Sequence, residues 1–408
     1  KIYLKLLVFF KSIFKKNFNF NPIDKLILKT SKKRYLTYTS QLRTGFLLVL
    51  LYLKSKFKKK NEIIMMSYNL KEMVNIPSKL KLKVVFCDIS LDNGSISFNE
   101  LKKKINKKTL CVVLTNIFSD FKTCKNLKTF CKKRKIPLIE DNAIYFDNYS
   151  QNKTKIFSGS FGDFSLISFN IMKNISGLYG GCVSYNDKNF SNFTKRHLNK
   201  KVKFPKILYF RQILIFFLLK IFSIKFIYKY VFYYLFYFSA KYNFKLVQNM
   251  IYPSLRFKNK NIPGYYLSKI PDFSKKLIYF QLMDKKQRKI NHNLRKEKNK
   301  YYYNSFKKIK SKNIKLIDMY DFNFQNFLDF PVLFKKRDEI YNHLLKKGYD
   351  TKKVHYFNCS KEFKSKSVCQ NSARIEKEIL CLPNHDQINN IYINNIVNEV
   401  KKFYKRNV

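Results

Sequence analysis

Four short apolar runs, separated by stretches of helical periodicity, set the strongest limit on how this chain can fold. They are IIMMS (63–67), KVVFCDI (83–89), TLCVVLTNIF (109–118) and IPLIED (136–141). Between them, FNELKKKI (98–105) and CKNLKTFCKKRK (124–135) repeat their apolar residues at helical spacing. A β-α-β-α-β order of this kind predicts a mainly parallel sheet covered by helices. Ahead of it, GFLLVLLYLK (45–54) reads as a buried helix opening after Arg43-Thr44. Ligands of parallel sheets bind outside the C-terminal strand ends, and Asp141 lies at such an end.

The segment SGSFGDFSLISFNIMKNISGLYGGCVSYND (158–187) is the only Gly/Ser-rich stretch. It offers two strands, FSLISF and GCVSY, around a polar loop that holds Lys173. Small residues follow the lysine and leave room for a bulky group. Ser168 lies five residues before it, on the strand leading in. Gly180-Gly181 allows a tight turn and a close backbone approach. Thr44 sits at a helix start, and helix N-termini bind phosphate. In a chain so rich in lysine and so poor in acid, Lys173 or Asp141 alone says little; the weight lies in the combination.

Towards the C-terminus the chain is helical and basic from about residue 275. FLDFPVLF (327–334) reads as a strand, RDEIYNHLLKKGYD (337–350) as a helix closed by Gly348, and the tail as an amphipathic helix. The resulting organisation is a large α/β domain over 1–250 and a small C-terminal α/β domain over 251–408. An aromatic block, ILYFRQILIFFLLKIFSIKFIYKYVFYYLFYFSA (207–240), interrupts the first as an insertion at about 205–245. Its uncharged runs are shorter than the roughly 20 residues a spanning helix needs. Two readings remain: a helical insertion packed on the protein, or a membrane-surface helix pair with lysines snorkelling beside Phe and Tyr, the second being preferred. The start of the chain reads as an amphipathic first element.

The net charge of +57 invites a nucleic-acid partner. The lysines are spread along the whole chain, however, and Lys, Asn, Ile, Phe and Tyr are all over-used while Trp is absent. That profile reads as codon bias, and no specific nucleic-acid binding is expected. The eight cysteines form no C-x-x-C pair and no zinc spacing. They suit a reduced, cytoplasmic protein, with membrane association through 207–240 as the added element.

These blocks, in order, resemble the DegT/DnrJ/EryC1/StrS sugar aminotransferases, a branch of the fold-type-I pyridoxal-phosphate (PLP) enzymes. SQLRTGFLLVL, NEIIMMSYN, VVFCDIS, LIEDNA and the whole lysine segment carry the likeness, with LDFPVLFKKRDEIYNHLLKKGYDT and EILCLPNHDQI near the C-terminus. The resemblance implies the PLP-dependent transferase fold, with a mainly parallel large domain and a small α/β domain. It places Lys173 as the Schiff-base lysine, Asp141 as partner of the cofactor's ring nitrogen, and Ser168 and Thr44 at the phosphate. Tyr68 is the local candidate for a ring contact, with Leu70 beside it. The implied reaction moves an amino group, usually from glutamate, to a nucleotide-linked keto sugar for surface polysaccharide or glycan assembly, in a homodimer. His355 and His385 resemble small-domain positions that could meet substrate.

The sequence departs from the family pattern at Leu42, at Ile144 and around Lys269–Ser274, where the partner-subunit motif is not recognisable. These departures support an alternative reading: a catalytically weakened paralogue acting as a membrane-associated binding or regulatory protein.

Overall fold

The structure is a computed structural model that describes residues 3–118, 121–144, 146, 159–198, 202–242, 244, 261–317, 328–353 and 356–406. Its centre is a seven-stranded sheet in the order β1-β8-β7-β6-β5-β2-β4. The strands are β1 (Tyr35–Thr39), β2 (Glu62–Met66), β4 (Lys83–Cys87), β5 (Thr109–Thr115), β6 (Leu138–Asp141), β7 (Phe164–Ser168) and β8 (Gly181–Tyr185). Only β8 runs against its neighbours; the ladders from β4 through β7 are parallel.

Alternation along the strands explains the two cores. Ile63, Met65, Cys111, Val113 and Ile139 face one side, where they join Phe46 and Leu50 of α3 (Leu42–Lys56), Val74 of α4 (Lys71–Lys79) and Phe190 of α7 (Lys188–Leu198). Their sequence neighbours Ile64, Met66, Val112, Leu114 and Leu138 face the other. There they meet Leu101 of α5 (Phe98–Lys104) and Cys124, Leu127 and Phe130 of α6 (Phe121–Lys133). A strand with no polar face therefore means two covered faces, as the apolar runs predicted. Ser97 caps α5, its hydroxyl accepting the Glu100 N–H.

The structure corrects two expectations. The buried helix begins three residues earlier than expected, at Leu42, with Gln41 in extended backbone as its N-cap. The first element, α1 (Leu6–Phe14), turns Phe9 and Ser12 inward but leaves Leu6, Leu7, Phe10, Ile13 and Phe14 exposed. It is therefore apolar outward as well as inward, instead of presenting a polar outer face. The aromatic block forms α8 (Lys206–Phe222), then an 80° bend, then a second helical run over Lys225–Ser239. That run comprises α9 (Lys225–Ile227), a π-turn and α10 (Tyr233–Lys241). Among the described residues, no single helix is long and apolar enough to cross a membrane.

The C-terminal part builds an antiparallel sheet, β12-β10-β9, from β9 (Ile314–Leu316), β10 (Asp329–Phe334) and β12 (Ile379–Pro383). Phe330, Val332, Ile340, Leu344, Ile396 and Val400 fill its core. The two sheets are stitched by a two-stranded ribbon, β3 (Tyr68–Asn69) with β11 (Phe357–Asn358). This stitch brings the small domain to the C-terminal ends of the parallel strands.

Candidate active site

Successive strand residues point to opposite faces, and the last two residues of β6 show what this does to two adjacent carboxylates. Glu140 is fully buried and saturated. It accepts the N–H groups of Gly159, Phe161 and Gly162 at 2.7, 2.9 and 2.9 Å, and the Asn116 amide at 3.0 Å. That carboxylate organises a loop. Asp141, aimed at the other face, accepts one hydrogen bond among the described residues, from the Ala143 N–H to Oδ1 at 3.0 Å. Among the described residues its second oxygen meets no donor. Burial raises its pKa to about 6, while the Ala143 N–H and the Lys173 ammonium pull the other way.

Lys173 lies in the twelve-residue connection between β7 and β8. The loop is held in shape at several points. Phe169 N–H donates to Gly180 O at 2.9 Å, Gly177 N–H to Phe169 O at 2.8 Å, and Lys173 N–H to Asn170 O at 3.0 Å. Gln281, on the helix Asp272–Met283 (α11), grips it twice: its Oε1 accepts the Ser176 N–H at 3.0 Å and its Nε2 donates to Ser176 O at 2.7 Å. Burial lowers the Lys173 pKa to about 8, and Asp141 is the first of the charges that act on it in return. The acid and the amine expected to work together are thus coupled across the strand ends.

Ser168 ends β7 and stands opposite Gly181 in the register. A Cβ on Gly181 would lie 2.4 Å from Leu42 N, so only glycine lets α3 begin there. The helix starts with no side-chain cap. A hydroxyl therefore sits one ladder step from an uncapped helix N-terminus, which is an arrangement for an anion. Thr44 is the third residue of α3; its hydroxyl is fully buried and lies 3.2 Å from that of Ser40.

Tyr68 is fully buried in the seam, with its ring edge-on to Tyr356 at 5.7 Å. Leu70 and Ile144 are only partly buried, each packed beside the core under the sheet. His385 lies in the small domain, where its carbonyl accepts Lys298 Nζ at 2.6 Å; His355 lies outside the described residues. The sequence reading missed three groups here. Tyr356 is close enough for Asp141 to raise its pKa, although burial dominates that shift. Lys352 and Asp329 form an ion pair at 2.9 Å, and both act on the charge of Lys173. They come from the small domain, and nothing in a uniformly lysine-rich sequence distinguishes Lys352 from its neighbours.

Comparison with known proteins places this arrangement. Residues 31–200 match the family model described as the DegT/DnrJ/EryC1/StrS aminotransferase family. The GDP-perosamine synthase of Vibrio cholerae is 31% identical over 126 residues, covering 31% of this chain and 34% of the relative. That of Escherichia coli O157:H7 is 25% identical over 41% of this chain and 46% of the relative. The matched region thus spans a third to under half of these relatives. Two solved structures are similar throughout. Helicobacter pylori PseC, an aminotransferase involved in the biosynthesis of pseudoaminic acid, superposes with a TM-score of 0.70 at 16% identity, covering 98% of this chain and 96% of that one. The E. coli GDP-4-keto-6-deoxy-D-mannose-3-dehydratase with bound hydrated PLP gives 0.68 at 18% identity, covering 97% and 96%. At such identities they establish the shared fold. Strand order, lysine loop and sequence match thus agree: the segment spanning residues 31–200 is similar to the DegT/DnrJ/EryC1/StrS aminotransferase family.

Proposed function

We propose that this chain is a PLP-dependent aminotransferase that moves an amino group from glutamate to a nucleotide-linked keto sugar, for surface polysaccharide or glycan assembly. The observation that carries the reading is the electrostatic coupling of Lys173 to Asp141 at the C-terminal strand ends. The residues fit the cofactor on their own terms. Ser168 and the uncapped start of α3 would hold its phosphate. Asp141, with one oxygen unengaged, would face its cationic ring nitrogen. Lys173 would bond its aldehyde carbon. When bound, PLP supplies an electron sink for reactions at the carbon next to an amine.

The chain's own groups do the rest. At pH 7 an amine of pKa about 8 is about one-tenth neutral, so Lys173 has a lone pair to offer and can carry a proton at Nζ. The Gln281 grip on Ser176 limits where the lysine loop can go. The Lys352–Asp329 ion pair acts on the charge of Lys173 from the small-domain side, its two members in opposite directions. The names of the matched relatives, GDP-perosamine synthases, support a nucleotide sugar as acceptor. The resemblance to the family supports a homodimer. Eight buried cysteines, all free, suit a reducing cytoplasm.

The test is spectroscopic. Purified chain supplied with PLP should gain the visible absorption of the lysine-bound cofactor, and glutamate should then bleach it. Lys173→Ala should do neither. Absence of any binding at excess PLP would refute the reading. Binding without bleaching by glutamate would instead identify the weakened paralogue, which the apolar Leu70 and Ile144 beside the site favour.

A further inference from the structure

The aromatic insertion is not used by the chemistry above, and its surface is unusual. On α8 the exposed residues Ile207, Phe210, Leu214, Leu218 and Ile221 recur at helical spacing and form one stripe. The opposite stripe is already engaged: Phe216 is fully buried, with Tyr209 and Ile213 packed beside it. The second helical run repeats the pattern. Phe226, Tyr230, Val231, Tyr234, Leu235 and Phe238 are exposed, while Phe236 is buried against the small-domain core. Helix α1 packs on the engaged side of α8, its Phe9 ring 5.4 Å from Phe216 and 5.1 Å from Phe217. A patch of this extent marks an interaction site.

Charge chooses the occupant. Residues 188–271 contain no Asp or Glu, and neither do residues 1–23. Within the patch the cations lie alongside the rings: Lys229 over Tyr230 at 4.8 Å and Lys241 over Tyr242 at 5.1 Å. Apolar surface whose own helices carry cations and no acid suits an anionic bilayer, whose headgroups receive ammonium groups while Phe and Leu enter the acyl boundary. A second copy of the chain would set like charges against each other. Transmembrane insertion would require the two helical runs to form one span, but they meet at 80°, and the inner face of α8 is committed to protein.

We propose that α8 and the run through α10 form a docking face that lies flat on an anionic phospholipid surface and holds the domain there without crossing it. The proposal is independent of the chemistry assigned to Lys173.

The test uses the full chain and vesicles of phosphatidylcholine, pure or with about one-third phosphatidylglycerol. Wild type should sediment with the anionic vesicles and not with the neutral ones, and added salt should release it. At about 1 kcal/mol per lysine near an anionic surface, Lys225→Glu/Lys229→Glu should lower partitioning by at least about twentyfold. Both lysines are exposed, so the variant should fold, and its PLP absorbance should match wild type. A dye on Phe226→Cys should shift to the blue on anionic vesicles, since every native cysteine is buried. Equal partitioning to neutral vesicles, or none to either, would overturn the proposal. So would a wild-type dimer that Phe210→Ser/Leu235→Ser converts to monomer, because the face would then belong to a second copy.

Discussion

Replacing Asp141 by Asn should stabilise the cofactor-free protein while weakening its hold on PLP. The side chain is 4% exposed, and burial lifts its pKa from the ordinary 3.8 to about 6. Each tenfold change in proton affinity is worth about 1.4 kcal/mol. The displacement from 3.8 to about 6 therefore amounts to about 3 kcal/mol. The sign follows from which state holds the proton. Below pH 3.8 the carboxyl is neutral folded or unfolded and costs nothing. As pH rises, the unfolded chain releases its proton first, so the folded state loses stability until about pH 6, where the full penalty stands.

Asn keeps the oxygen that accepts the Ala143 N–H but carries no charge. Urea unfolding of cofactor-free wild type and Asp141→Asn should coincide near pH 4 and separate towards a limit of about 3 kcal/mol above pH 8. The value of about 6 already includes the pull of the Lys173 ammonium, so the gain is near its full size by pH 7 and does not shrink as Lys173, with a pKa of about 8, loses its proton. The same substitution should weaken PLP binding by at least about tenfold, one charged hydrogen bond being worth about 1.5–3 kcal/mol. A variant less stable than wild type at pH 8, or equally stable at every pH, would refute the idea that this carboxylate is held at a cost.

Other outcomes follow from the same geometry. Cofactor capture by the apoprotein should quicken about tenfold between pH 7 and 9 as Lys173, with a pKa of about 8, loses its proton; stopped-flow absorbance would show it. Gly181→Ala must push Leu42 N away from a 2.4 Å approach, so PLP affinity should fall more than tenfold in a fluorescence titration. Ser168→Ala removes only a hydroxyl and should weaken PLP about fivefold, roughly 1 kcal/mol, with unfolding unchanged. Glu140→Gln removes charge from a site where three backbone N–H groups converge and should cost about 1–3 kcal/mol in urea unfolding.

The central sheet was legible because its strands carry no polar face over four or more residues; TLCVVLT admits few other fates. Strand β1, YLTYT, was not: its Tyr and Thr favour strands, but it is only half-buried and carries no apolar run to mark it. Helix α4 was hidden by Asn75 and by Pro77 in its last turn. Among site residues, Asp141 and Lys173 could be singled out from a strand end and an ordered set of blocks. Tyr356, Lys352 and Asp329 could not, because the β3–β11 stitch that brings them in pairs only two residues on each side. The outward apolar stripe of α8 was visible as composition, but which half of its hydrophobic residues had a partner is a tertiary fact.

The hydroxyl of Tyr209, on the inner side of α8, donates to Gly177 O at 3.5 Å and accepts from Ser274 Oγ at 3.2 Å. The helix whose outer stripe is bare therefore backs the very loop that carries the reactive amine. Pressure or tilt applied to that helix from outside has a short mechanical path, through one phenol, to the position of Lys173. Excising the insertion would strip the loop of its brace, so such a truncation would report on lysine positioning at least as much as on where the protein resides.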